Sequence, residues 1–312
     1  MTATAFGLDL EAAFELPGFE EAARPAGRRV RLDLAAAREL PGSEGERIAE
    51  ARGTEGRAVA TVDALPEGGY RMWADGFGSA WTSADGGEVR CAPPAAPAWR
   101  WQRFLAGQVL PFVAVLRGLE AFHASAVVLG DRAVAVVGGS GAGKTSLALN
   151  LVLRGLGLLN DDVLVLERDK AGGVVAHPGP GLANVRRDGS GLVERLEGAG
   201  LGTRLGETGD EARVALRRHR APARLAAVFY LDRAAAAESA TVERLAPVDP
   251  RLLLASTFNL ALRGPERLAR QLEVCGAIAE SSAIYRVACP PSVDAAALAE
   301  LLHEEVLCSS AS

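Results

Sequence analysis

The chain has 312 residues, 49% of them apolar and 23% charged, with a net charge of −5. This is the balance of a soluble globular protein of one large or two ordinary domains, and it supplies no global field toward DNA or an anionic membrane. The four cysteines, Cys91, Cys275, Cys289 and Cys308, are far apart with no C-x-x-C pair, so neither a zinc site nor a disulfide framework is expected. Met1 is followed by Thr-Ala-Thr-Ala-Phe-Gly with no basic n-region, so a secretory leader is not expected. The longest apolar stretch, Phe104 to Leu116, is too short to span a bilayer. A cytoplasmic protein with no nucleic-acid or membrane partner is the expectation.

From the N-terminus, residues 1–97 read as a small β-rich module. Arg28 to Leu34 alternates charged and apolar residues, as a half-buried strand does. Residues 58–62 and 70–74 are further short strands, with turns at Pro66–Gly69, Asp75-Gly76 and Asp85–Gly87. The proline-rich segment 92–97 reads as a linker. Residues 98–122 predict a connecting helix that Pro111 ends or kinks. Trp99 and Trp101, two apart, do not share a helical face and are expected to pack rather than to stack on a base. Residues 123–312 then alternate strands and helices. Strands are predicted at 126–129, 133–137, 163–166, 174–176, 225–231 and 285–288. Helices are predicted at 146–153, 252–262, 265–280 and 292–307, the last capped by Ser292. The Gly- and Arg-rich stretch 168–220 has weak periodicity and reads as a mobile loop region. The basic run Arg217 to Arg220 reads as a solvated loop or an anion contact. The fold class expected is α/β (α+β).

Within that second region, Gly138-Gly139-Ser140-Gly141-Ala142-Gly143-Lys144-Thr145 fits the phosphate-loop pattern G-x-x-x-x-G-K-[ST]. It follows an apolar strand and precedes a helix, which is the context the pattern requires. Backbone N–H groups of Gly138 to Ser146 are expected to wrap a polyphosphate, with Lys144 reaching the β- and γ-phosphates and Thr145 ligating Mg²⁺. Phosphoryl transfer needs more than a cradle: a metal, a group to orient the acceptor, and positive charge on the migrating phosphoryl. Asp161-Asp162 lies sixteen residues after Thr145, at the start of a strand, where one carboxylate can hold Mg²⁺ and the other can take a proton. The rival is Asp232, at the end of the apolar strand 228–231, followed by Arg233 where many ATP hydrolases carry Glu.

His123-Ala124-Ser125-Ala126, the loop 138–145 and Leu158 to Val163 together resemble the catalytic domain of HPr kinase/phosphorylase. The likeness is nearest to the divergent HPr kinase-related group that includes kinases of serine on peptide precursors. Leu231-Asp232-Arg233 and Glu243 to Pro247 are also similar to that group. The resemblance spans roughly residues 120 to 305 and is sharpest over 123–163. It implies a P-loop domain of the type shared with phosphoenolpyruvate carboxykinase. By the same resemblance Asp161 takes the acceptor proton, Asp162 binds the metal, and His123 lies near the transferred phosphate. Members of the family carry a Glu-x-Arg-Gly-x-Gly segment downstream; here residues 182–189 lack the Glu but offer Arg186 and Arg187 as a candidate phosphate clamp. HPr kinases assemble as hexamers, so a homo-oligomer is implied. The expected function is an ATP- and Mg²⁺-dependent kinase moving the γ-phosphoryl to a hydroxyl, serine above all, on a peptide or protein. A small-molecule kinase of serine or a sugar, and a non-catalytic ATP-binding regulator, are the alternatives.

Overall fold

The computed structural model describes residues 1–21, 25–41, 44–96, 98–186, 190–233, 238–258 and 261–304. It divides into two compact units: Met1–Ala121 with Asn259–Leu268, and Phe122–Phe258 with Ala269–Ser312.

The first unit is built on strands β1 (Thr2–Ala5), β2 (Leu8–Ala12), β3 (Arg29–Leu34), β4 (Glu46–Arg52), β5 (Ala58–Ala64), β6 (Tyr70–Ala74), β7 (Gly78–Thr82) and β8 (Glu88–Ala92). They form one sheet in the order β1-β2-β3-β8-β7-β6-β5-β4. The charged–apolar alternation of β3 has its physical cause here: Val30 and Leu32 are buried while Arg29 and Arg31 face solvent. The segment expected as a connecting helix belongs to this unit and is not one helix. It runs as α1 (Ala98–Phe104), a π-helical turn at Leu105–Val109, and α2 (Leu110–Leu116). Pro111 sits in the first turn of α2, where its missing N–H is tolerated, and the widened turn before it absorbs the broken ladder. Phe112 of α2 is fully buried and meets Tyr70 edge-on at 5.1 Å. Trp101 packs against Phe14 at 5.3 Å, as expected of a packing residue, and Pro97 lies outside the described residues.

The second unit carries β9 (Glu120–Leu129), whose first two residues fall in the first unit and which begins six residues before the expected strand, and β10 (Arg132–Gly138). Then come α3 (Lys144–Leu153), β11 (Gly157–Asn160), β12 (Val163–Arg168) and β13 (Val174–His177). After these follow β14 (Leu182–Arg186), α4 (Leu192–Gly198), β15 (Gly202–Thr208), β16 (Glu211–Leu216) and β17 (Ala223–Asp232). The chain closes with β18 (Thr241–Arg244), α5 (Pro250–Leu254), α6 (Pro265–Ser281, which belongs to the first unit as far as Leu268), β19 (Ala283–Ala288) and α7 (Ala295–Leu302). The main sheet has the order β10-β9-β12-β13-β17-β19-β18, with β11 on β9 and a parallel pairing of β10 with β17. Successive residues of β10 serve opposite layers. Val134 and Val136 join the core with α3, α4 and α7, while Ala133, Ala135 and Val137 join the core with α5 and α6. That is why β10 is apolar at every position from Ala133 to Val137 rather than alternating.

Three expectations are corrected. Residues 168–220 are not a loop region: β14, β16 and β15 make a three-stranded sheet with α4 beside it. Ala183, Val185, Leu192, Val193, Leu196, Ala212, Val214 and Leu216 bury into the α3 core, an apolar set hidden in sequence by the intervening glycines and arginines. The helix expected over 252–262 stops at Leu254, where Ser256 and Thr257 turn their hydroxyls back onto the Leu252 and Leu254 carbonyls. Asp294, not Ser292, caps the last helix, accepting from the Ala297 N–H at 2.7 Å.

Candidate functional site

β10 ends at Gly138, and the chain turns through Gly139–Gly143 into α3. Gly138, Gly141 and Gly143 have φ of +150°, +77° and +94°, a region L side chains avoid. Gly138 also has no room: a Cβ there would lie 2.7 Å from the Leu231 carbonyl oxygen of β17. The Ala142 N–H donates to Gly139 O at 3.2 Å and closes the turn. Gly143, the residue before α3, has no side chain to cap it. Among the described residues, nothing in the protein accepts from the N–H groups of Gly141, Gly143, Lys144, Thr145 or Ser146. A row of open donors at the positive end of a ten-residue helix has the geometry to hold an anion.

Lys144 is 7% exposed. Its ammonium donates to the Gly138 and Gly139 carbonyls at 3.0 and 3.1 Å, which folds it back along the loop. Burial lowers its pKa below the ordinary lysine value, and the charges of Asp162 and Asp161 pull it back up. The helix behind it is buried at every residue from Leu147 to Val152, with Leu147, Leu149 and Leu151 fully buried. Each contributes roughly 1.5–3 kcal/mol of burial, so the loop is mounted on a rigid element.

The acidic turn lies between β11 and β12. Asp162 has φ +71°, and the Val163 N–H donates to Asp161 O at 2.9 Å. This is a three-residue turn of the rarer, strained kind. Asn160 holds it from within through Nδ2 to the Val163 carbonyl. The turn points the two aspartates differently. Asp161 Oδ1 accepts from Ser125 Oγ at 2.7 Å and from Thr145 Oγ1 at 2.8 Å. Its Oδ2 is buried without a hydrogen bond of ordinary geometry. Burial dominates its titration and pushes the carboxyl from 3.8 up to about 6. The Ser125 hydrogen bond opposes this, the Asp162 charge adds to it, and the Thr145 hydrogen bond and a weak pull from the Asn184 N–H oppose it. Asp162 instead has a side chain 45% exposed, with Oδ1 3.4 Å from His123 Nδ1. His123 Nδ1 also lies 3.0 Å from the Asp162 carbonyl oxygen. In a neutral ring Nδ1 is therefore the donor, and Nε2 carries the lone pair. Phe258 stacks on the ring at 6.2 Å.

The structure thus brings together Lys144, Thr145, Asp161, Asp162 and His123, and it adds Ser125, which the sequence offers as part of the His123–Ala126 motif but without a role. Ser125 lies two residues after His123 on β9, a relation visible only once the strand is known to start at Glu120. Asp232, the rival carboxylate, is held by Arg286 of β19 at 2.5 and 3.1 Å. Arg186 is exposed on β14, opposite Glu211 in the register; Arg187 lies outside the described residues. No group of three or more His, Cys, Asp or Glu side chains among the described residues forms a metal cage. Mg²⁺ at a polyphosphate needs only one or two carboxylates beside the phosphate oxygens. The Thr145 hydroxyl and Asp161, with its orphaned buried Oδ2, fit that donor set.

No family model and no curated protein matches the chain. Among solved structures it is similar to the HPr(Ser) kinase/phosphatase from Coxiella burnetii, at 17% identity and a TM-score of 0.32, over 61% of this chain and 99% of that one. A likeness at that TM-score says nothing by itself about activity. No helix of the described residues is long and apolar enough to cross a membrane.

Proposed function

We propose that this protein is an ATP- and Mg²⁺-dependent kinase that moves the γ-phosphoryl to a hydroxyl, serine above all, on a peptide or protein. The observation that carries the reading is the hydrogen bond from Thr145, on the glycine loop, to Asp161, in the acidic turn. It couples an anion cradle to a carboxylate, which is the pairing phosphoryl transfer requires. The open N–H groups and Lys144 bind the polyphosphate. Thr145 and Asp161 would hold Mg²⁺, which when bound neutralises charge on the phosphate oxygens.

This reverses the division of labour that the resemblance implies. Asp161 lies on the Thr145 side and is shut from solvent on one oxygen, whereas Asp162 is open to an incoming acceptor. Asp162 takes the proton from the acceptor hydroxyl. The acceptor oxygen then bonds to the γ-phosphorus, the bond from that phosphorus to the β–γ bridging oxygen breaks, and ADP leaves with the electron pair. His123 orients Asp162 through Nδ1.

The test follows label from γ-labelled ATP with Mg²⁺ and a host-cell extract, with Lys144→Ala as the blank. Label in acid-precipitable or peptide material is expected. Label confined to a soluble metabolite overturns the peptide acceptor in favour of a small-molecule kinase, and release of free phosphate alone, or nothing above the blank, overturns transfer.

A further inference from the structure

Phosphate loops work by aiming backbone N–H groups, and something must hold each peptide plane in its orientation. β17 runs parallel to β10 with Leu231 opposite Gly138, so the residues just after β17 emerge beside the loop. The second of these positions after Leu231 is Arg233. Its Nε donates to the Ala142 carbonyl at 3.1 Å. Its Nη1 donates to the Val293 carbonyl at 2.6 Å and, at longer range, to Pro290 at 3.4 Å. Val293 and Pro290 form a turn of their own, closed by Val293 N–H to Pro290 O at 3.1 Å and followed by the Asp294 cap of α7. The guanidinium is thus a fork fixed at one end to the start of a helix and at the other to the glycine loop. Nη2 lies over Gly143, 3.2 Å from where a Cβ would be.

The peptide unit between Ala142 and Gly143 is planar and trans, so its C=O and N–H point in opposite directions. Holding the Ala142 oxygen toward Arg233 turns the Gly143 N–H away from the guanidinium, and that N–H is among the donors with no acceptor in the protein. Gly143 is left-handed at φ +94° and has no side chain to keep this plane from rotating. Lys144 tethers the Gly138 and Gly139 carbonyls, at the other end of the loop. Without Arg233 the Ala142–Gly143 plane has no side-chain hydrogen bond.

We propose that Arg233 is a positioning residue for the polyphosphate: its hydrogen bond to the Ala142 carbonyl fixes the Ala142–Gly143 peptide so that the Gly143 N–H is presented to the phosphates. The inference rests on the phosphoryl-transfer reading above and adds to it a residue that touches neither acceptor nor metal. Its energetic origin is preorganisation: a loop already in its bound form loses less freedom on binding.

The experiment measures affinity by calorimetry for three probes, Mg²⁺–ATP, Mg²⁺–pyrophosphate and adenosine, using the full chain, Arg233→Ala and Arg233→Lys. The expected result is a loss of tenfold or more for ATP and pyrophosphate in Arg233→Ala. A smaller loss is expected in Arg233→Lys, whose single ammonium cannot bridge both anchors, and adenosine affinity should stay within twofold throughout. ATP affinity within twofold of the natural protein in Arg233→Ala overturns the inference while leaving the kinase reading intact. An equal loss for adenosine also overturns it, because a general collapse of the site would then be the cause. If Arg233→Ala does not fold, Arg233→Lys carries the same comparison: ATP and pyrophosphate affinity within twofold of the natural protein in that variant overturns the inference. Absence of Mg²⁺–ATP binding by the natural protein removes the kinase reading and this inference together.

Discussion

Asp161 shows how the site conflicts with stability. Its carboxyl is raised to about 6 in the folded protein, above the ordinary value of 3.8. Between those two values the folded state binds more protons than the unfolded one, so stability falls as pH rises through that window. Above about pH 6 the penalty for ionising a buried carboxyl is complete. Asp161→Asn removes it while keeping an acceptor for the Ser125 and Thr145 hydroxyls. The variant should be more stable than the natural protein at pH 7.5, by about 1–3 kcal/mol, with the gap closing below pH 4. Urea unfolding at the two pH values checks this, and a variant less stable at pH 7.5 would show that the burial is not what governs this carboxyl. Asp161→Asn should also lose the Mg²⁺ dependence of ATP binding, whereas Asp162→Asn should bind Mg²⁺–ATP and fail to transfer. The opposite pattern restores the division that the resemblance implies.

Asp162 stores strain instead. A non-glycine residue at φ +71° costs on the order of 1 kcal/mol. Asp162→Gly should therefore match the natural protein in urea, or exceed it by up to about 1 kcal/mol, and yet be inactive in the label assay. A clear loss of stability would mean that the carboxylate contributes more, through His123, than the backbone forfeits. An inactive variant of undiminished stability is the outcome expected where a strained conformation serves the chemistry rather than the fold.

Among elements, the joint between β10, the loop and β17 matters most. Gly138 fits because it has no Cβ, and the parallel register sets the Leu231 carbonyl against it. Gly138→Ala should cost about 1–3 kcal/mol and abolish ATP binding; thermal melts with and without ATP measure both. If ATP still raised the melting point as in the natural protein, the loop would not depend on this approach. The strand–loop–helix sequence around Gly138 was legible because all its signals are local: an apolar run, four glycines and a helix start within twenty residues. The small sheet of β14, β16 and β15 was not legible. Its strands bury their apolar face against α3 and α4, and the other face carries Asn184, Arg186, Glu211 and Arg213, of which Arg213 is itself buried. A half-polar strand interrupted by glycine has the composition of a loop, and only the layer beneath it shows which residues are core. Pro111 was expected to end or kink the helix; instead the backbone stays helical from Ala98 to Leu116, through a π-helical turn just before the proline that composition did not show.

For the molecule as a whole, the chain enters the second unit at Phe122, returns to the first for Asn259–Leu268 and leaves again. The expected boundaries, 1–97, 98–122 and 123–312, place no return there, because a ten-residue excursion has no compositional mark. Inside the first unit this returning segment brings Arg267 to Glu120, at 3.4 Å, with both side chains nearly inaccessible. Removing one charge from a buried pair leaves the other costly, on the order of 3 kcal/mol or more. Glu120→Gln should accordingly lower the urea midpoint well beyond what a surface substitution does. A loss below about 1 kcal/mol, the range of exposed pairs, would mean that the guanidinium finds other partners.

What the sequence determined by itself is the part of the site made from contiguous backbone. Eight consecutive residues specify a glycine turn, a lysine and a hydroxyl, and the proposed anion cradle would be built from peptide N–H groups that no distant residue has to supply. The aspartate pair was also visible, as a composition. Which aspartate meets Thr145 was decided by the strained turn at Asp162, which points neighbouring carboxylates apart. Ser125 reaches Asp161 across 36 positions and Arg233 reaches Ala142 across 91. Such contacts depend on strand order and register, and on burial that leaves one oxygen of Asp161 dry and the Asp162 carboxylate open. No run of adjacent residues encodes them, because the groups that meet are brought together by the packing of the whole sheet.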